Sequence, residues 1–75
     1  MTLEEFFGDI LEVAPASLID DVSQSSLGSW DSLAHINIIT GLEEVYGVQF
    51  STTEIQSLKS LGDARRMLRQ KGVEV

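Results

Sequence analysis

Gly28-Ser29-Trp30-Asp31-Ser32-Leu33 is the stretch on which the reading of this chain turns. Before it lies a run rich in Ser, Asp and Gly with no sustained period, and after it apolar residues recur at helical spacing. Asp31 is a favoured N-cap residue, which puts Ser32 in the first turn of a helix. Backbone N–H groups there have no intrahelical partner and the positive end of the helix dipole is close by. Leu33 is expected to turn inward and fix the helix start, leaving the Ser32 hydroxyl pointing outward.

Working forward, this helix is expected to run from Ser32 to Tyr46 and to stop at Gly47, a favoured residue just past a helix end. Leu33, Ile36, Ile39, Leu42 and Tyr46 lie close to one face, with Ile38 and Val45 widening it, and Asn37, Glu43 and Glu44 lie toward solvent. It is the most apolar helix and is read as the central one. Val48-Gln49-Phe50 reads as a short extended link that drops Val48 and Phe50 inward. Ser51 with Glu54 has capping-box spacing and starts a short helix carrying Ile55 and Leu58. Ser60 with Asp63 offers a similar start for a last helix, in which Leu61, Ala64, Met67 and Leu68 face the core and which Gly72 ends. Arg65, Arg66, Arg69 and Lys71 are read as its outer side, the later ones complementing the negative end of its dipole.

Working backward, residues 14–30 are long for a loop inside a compact domain, with Leu18, Ile19, Val22 and Leu27 spaced to pin it to the core. Asp20-Asp21 lacks the alternating oxygen ligands of a calcium loop. Thr2 and Glu5 have capping-box spacing, and Leu3, Phe6, Phe7, Ile10 and Leu11 follow as one apolar stripe. Pro15 disfavours a helical Ala14, so the first helix is expected to end near Val13. The fold class is therefore all-α: a four-helix bundle with a short third helix and a long loop between helices 1 and 2, as one domain over residues 1–75. Phe6, Phe7, Ile10, Leu33, Ile36, Ile39, Leu42, Phe50 and Leu68 are the expected core.

The composition, 43% hydrophobic and 23% charged, is that of a globular chain, and at 75 residues it buries only about 60% of its unfolded surface. The absence of cysteine removes disulfides and thiolate chemistry, and suits a reducing, cytoplasmic setting. No apolar run approaches the length of a membrane span and no signal peptide is evident. The formal charge is −7, with ten acids and no Lys or Arg in residues 1–58; all five basic residues follow. Such a field repels nucleic acid and anionic membrane and steers basic protein patches toward it, while also aiding solubility.

Catalysis finds little support. Asp31, Ser32 and His35 share one helix turn, but a working triad needs a base oriented by a third group and an oxyanion hole beside the nucleophile. His35 is read as a surface histidine. Glu43-Glu44 are neighbours on a solvated helix with no apolar pocket to raise either pKa. No phosphate-binding glycine motif or cluster of metal ligands is present. Ser32 as an attachment point is the better reading, since a phosphodiester there meets unpaired N–H groups and the dipole end. A plain helix cap at Asp31-Ser32 is the bland alternative.

In context the motif carries more. Leu27-Gly28, Asp31-Ser32-Leu33, Leu42-Glu43-Glu44-Val45-Tyr46-Gly47-Val48 and Ser60-Leu61-Gly62-Asp63-Ala64 together resemble the acyl carrier protein family, over most of the chain. The resemblance implies a carrier, not an enzyme: a phosphopantetheinyl transferase moves 4′-phosphopantetheine from coenzyme A onto Ser32, and the arm's thiol holds acyl groups as thioesters. It implies a monomer that passes cargo between separate biosynthetic enzymes with basic docking patches. Asp31, Leu33, Glu43, Glu44, Trp30 and His35 are the residues expected to meet those partners. The chain departs from the family pattern in a link one residue longer before Asp31, in Trp30 where small residues are frequent, and in Ala34 and Asn37 where acids often stand. Trp30 is read first as a cover for the bundle end and second as a partner contact. The departures suggest a specialised pathway. Two alternatives stay open: a peptidyl or aminoacyl carrier, and an unmodified helical interaction module using its acidic face.

Overall fold

The computed structural model, which describes residues 1–75, shows four helices and no strands: α1 (Leu3–Leu11), α2 (Ser32–Tyr46), α3 (Thr52–Ser57) and α4 (Leu61–Gln70). A single 3-10 turn, Pro15–Ser17, follows α1. The expected four-helix bundle with its short third helix is what forms. Local capping explains the boundaries. The Thr2–Glu5 and Ser51–Glu54 pairs are reciprocal capping boxes, and the Ser60 hydroxyl accepts from the Asp63 N–H. Gly47 ends α2 in the left-handed region at φ 66°. α1 stops at Leu11, two residues before the expected Val13, because Glu12 itself turns left-handed (φ 59°) and the Val13 N–H bonds back to the Gly8 carbonyl.

The long loop before α2 answers its backbone hydrogen-bonding needs by docking on α4. The Asp20 carbonyl accepts from Gly62 N–H (2.9 Å) and the Val22 carbonyl from Leu61 N–H (3.0 Å), while Gln24 N–H donates to Lys59. These are the amides at the start of a helix that lack intrahelical partners, so loop and helix satisfy one another. Gly62 lets the loop come close: a Cβ there would lie 3.1 Å from the Asp20 oxygen. Leu18 is buried, Val22 and Leu27 pack against the core, and Ile19, expected to do likewise, is 62% exposed. Arg65, read as outward-facing, instead reaches across to Glu4 of α1 and to Asp20 of the loop (3.2 Å), joining three segments. Burial works against the charge of its guanidinium, but Glu4 and Asp20 outweigh that and hold the group more firmly protonated than usual.

Sixteen apolar residues form the core, with Phe7, Leu11, Ile38, Leu42, Leu58, Leu61 and Leu68 among the fully enclosed side chains. Of the expected core, Phe6, Phe7, Ile39, Leu42, Phe50 and Leu68 are buried and Ile10 packs at its edge. Leu33 and Ile36 are corrections: they are 68% and 60% exposed, and α2 turns Ala34, Ile38, Ile39 and Leu42 inward instead. α2 is apolar almost all round, so period alone does not choose its buried face. Close approach of α1 and α2 is made at Gly41, where a Cβ would lie 2.7 Å from the Phe6 ring.

Two predictions follow from this packing. Gly41→Ala should destabilise the protein by about 1–2 kcal/mol in chemical denaturation, since displacement of the buried Phe6 ring outweighs the helix propensity gained. The second concerns acid. Glu5 is held below its ordinary 4.5 by the Thr2 N–H and hydroxyl, and Glu54 likewise by the Ser51 N–H and then Lys71. Burial pushes Asp63 up from 3.8, but the Lys59 N–H and Arg66 outweigh it and leave it lowered. Depressed carboxyl groups stabilise the fold above their unfolded values, and that stability is lost as pH falls through the folded ones. The thermal midpoint should therefore fall as pH drops from about 5 toward 3, and Glu54→Gln should show a shallower fall.

Candidate functional site

The site is the N-terminus of α2. Asp31 adopts an extended N-cap conformation and its Oδ1 accepts from the Ala34 N–H at 2.9 Å, while its carbonyl accepts from His35 N–H. Ser32 follows as the first helical residue and is exposed. The Ser32 and Leu33 N–H groups precede the first residue that can bond back into the helix, so they face outward beside the Ser32 hydroxyl. No acidic side chain occupies this first turn. The positive end of a 15-residue helix is thus presented together with an exposed hydroxyl, an arrangement suited to a phosphodiester.

Behind the exposed turn lies a closed polar relay. Trp30 is only 2% exposed, set edge-on to Phe7 (centroids 5.5 Å apart) and stacked on the His35 imidazole at 6.1 Å. Its Nε1–H donates to His35 Nδ1 at 3.1 Å, and His35 Nε2 lies 2.9 Å from the Ile55 carbonyl of α3. An indole nitrogen is donor only, so Nδ1 is the acceptor and the proton sits on Nε2, which donates to Ile55. Both imidazole nitrogens are therefore engaged, and His35 has no lone pair free to act as a base toward Ser32.

This arrangement corrects one expectation. His35 is half-buried and hydrogen-bonded through both nitrogens where a surface histidine was expected, while Trp30 lies in the core. The covering role read first for Trp30 is the one its burial describes. The signal available in the sequence was chemical: a buried indole seeks an acceptor, and His35 is one turn away. Of the other expected contact residues, Asp31, Leu33 and Glu44 are exposed. Glu43 is half-buried and its Oε2 accepts from the Phe50 N–H at 2.8 Å, so it holds the link after α2 in place. Ile36, assigned to the core from its spacing, joins the exposed set together with Val45.

A cavity of about 320 Å³ lies near the other end of α2, lined by Thr2, Glu4, Tyr46, Arg65 and both chain ends. The Tyr46 hydroxyl is buried without a hydrogen-bond partner there, and burial raises its pKa. Tyr46 is the last residue of α2 and Ser32 the first, which separates them by roughly 21 Å along the helix. The cavity and the Ser32 site are distinct.

Comparison with known proteins agrees with the geometry. The phosphopantetheine attachment site family model matches residues 2–68. The holo acyl carrier protein of Geobacter metallireducens is 32% identical and superposes with a TM-score of 0.82, over 92% of this chain and 79% of that one. The holo acyl carrier protein of Nitrosomonas europaea is 26% identical with a TM-score of 0.78, over 92% and 89%. A Mycobacterium tuberculosis chain provisionally assigned to the acyl carrier proteins shares the fold at 22% identity, with a TM-score of 0.79 over 93% and 99%. Comparison with curated protein sequences gives no match. Matched along nearly its whole length by a family defined by covalent 4′-phosphopantetheine, and folded as its members are, the chain belongs to the acyl carrier proteins and is a carrier, not an enzyme.

Proposed function

We propose that Ser32 is the residue to which 4′-phosphopantetheine is attached, and that the chain carries acyl groups between separate biosynthetic enzymes of a specialised pathway. The observation that carries this reading is the exposed Ser32 hydroxyl in the first turn of α2, beside unpaired backbone N–H groups, within the span matched by the family. The arm supplies a terminal thiol able to hold acyl groups as thioesters, a nucleophile that a cysteine-free chain lacks. The residues of the chain do the rest. Asp31 fixes the helix start, the Ser32 and Leu33 N–H groups favour the phosphate's negative charge, and the outward turn gives a transferase access to the hydroxyl.

The partner-facing surface on this reading is the outer side of α2: Leu33, Ile36, Asn37, Thr40, Glu44 and Val45. Beyond Asp31 at the helix start it is apolar near Ser32, with the next exposed acid, Glu44, toward its far end. That gradient supports partners that place apolar side chains near the attachment point and a basic patch against Glu44, and it supports a setting apart from general fatty-acid synthesis. A cytoplasmic location accords with the cysteine-free composition.

Incubation with coenzyme A, Mg²⁺ and a broad-specificity phosphopantetheinyl transferase tests the assignment by intact mass. The wild type should gain one phosphopantetheine. Ser32→Ala should gain none while keeping its unfolding free energy within about 0.5 kcal/mol, as expected of an exposed position; modification of that variant would refute the assignment. Ile36→Asp should also fold normally, because its side chain contributes little to the core, yet it should slow loading by tenfold or more in a timed mass assay.

A further inference from the structure

We propose that the Trp30–His35 pair is a proton-sensitive latch on the end of the loop that leads into Ser32, closed while the imidazole is neutral and open once it carries a second proton. The latch stands on the geometry of the pair. Its bearing on Ser32 rests on the attachment proposed above.

The indole nitrogen can only donate, so its 3.1 Å bond to His35 exists only while Nδ1 keeps its lone pair. The other imidazole nitrogen is committed elsewhere. Nε2 meets the Ile55 carbonyl at 2.9 Å, and that carbonyl has no other taker, because the amide four residues on, Lys59 N–H, donates to Asp63 Oδ2 instead. A proton arriving at Nδ1 turns the pair into two N–H groups directed at one another. The contact with Ile55 survives and gains charge assistance. Protonation thus leaves His35 held by α3 alone and takes the acceptor away from Trp30.

The surroundings do not compensate for that loss. Trp30 is 2% exposed and lies edge-on to Phe7 of α1, so a freed indole donor is left unsatisfied unless it moves toward water. The bond reaches the indole at its edge, the positive part of the ring, where a cation gains nothing from the π face. No salt bridge includes His35. Asp31, one turn earlier on α2, gives Oδ1 to the Ala34 N–H. Glu54, the one titratable residue of α3, is held by Ser51 and Lys71. Residues 23–29 of the loop carry no charge, and Lys59 just beyond α3 adds a like one. Trp30 immediately precedes the Asp31 cap, so opening acts on the chain that presents Ser32.

The test follows acrylamide quenching of Trp30, the sole tryptophan, in the wild type and in His35→Gln, over the window of about pH 8 to 5 in which imidazoles change charge. Quenching is chosen because emission alone also responds to a charged ring beside a closed indole, whereas quencher access rises only if the indole is uncovered. In the wild type the quenching constant should rise about threefold or more as the pH falls, since losing one buried hydrogen bond moves a closed–open balance by roughly tenfold. Helical content by circular dichroism should stay constant. His35→Gln, which has no proton to gain there, should give a flat profile. The ¹⁵N signal of the wild-type indole supplies a check that needs no variant, and it should titrate together with the imidazole signals. A flat quenching profile in the wild type, an equal rise in the variant, or an indole signal that ignores the imidazole would each overturn the latch. Timed loading with coenzyme A and the transferase, taken as the ratio of wild type to His35→Gln so that the transferase's own pH dependence cancels, should fall about threefold across the same window. A constant ratio would overturn the bearing on Ser32. Absence of mass gain in both proteins would refute the attachment, while the quenching profile still decides the latch.

Discussion

A buried indole needs an acceptor for its N–H, and the way this chain meets that need sets the orientation of its central helix. Trp30 lies against Phe7 with its nitrogen directed at His35, and His35 passes the requirement on to the Ile55 carbonyl. Position 35 must therefore sit at the border between core and α3. Once it does, helical geometry sends 34, 38 and 42 inward and leaves 32, 33 and 36 facing solvent. The exposure of Ser32 and the apolar surface beside it are consequences of the same constraint.

A second set of contacts secures the long connection. Residues 20–24 lie on the start of α4 through backbone bonds to Lys59, Leu61 and Gly62, and an isolated antiparallel bridge pairs Ser23 with Ser60. Arg65 adds charged bonds to Glu4 and Asp20 from the next turn. At the other corner Lys71 pairs with Glu54 at 2.9 Å and sits over the Phe50 ring at 5.3 Å, tying the end of α4 to α3. Of the five basic residues, Arg65 and Lys71 join separate segments, whereas Arg66 pairs with Asp63 within α4 and Arg69 donates to the Val75 carbonyl.

What could be read from the sequence was local. Thr2 with Glu5, Ser51 with Glu54, Ser60 with Asp63, and Gly47 each define a helix boundary within a few residues of themselves, and each formed as read. The Asp31-Ser32 helix start was legible for the same reason. What escaped depended on contacts distant in sequence. The buried face of α2 could not be chosen by period, because Leu33, Ile36, Ile38, Ile39 and Val45 surround its axis. Arg65 could not be seen as a bridge without knowing that residues 4 and 20 stand beside it. His35 was misread because a lone histidine one turn from an exposed serine suggests chemistry or solvent, whereas its partners are an indole and a carbonyl twenty residues on.

The backbone bonds from Asp20 and Val22 to Gly62 and Leu61 also bear on how the molecule assembles. The opening turns of α1 and α3 are capped from within their own segments, by Thr2 with Glu5 and by Ser51 with Glu54. The Leu61 and Gly62 amides of α4 find their acceptors only after the chain has closed a loop that contains α2 and α3. Completion of α4 is therefore a non-local event, with the entropy of ring closure standing ahead of it. The last segment of the chain acts as the clasp that registers when the earlier segments are in place.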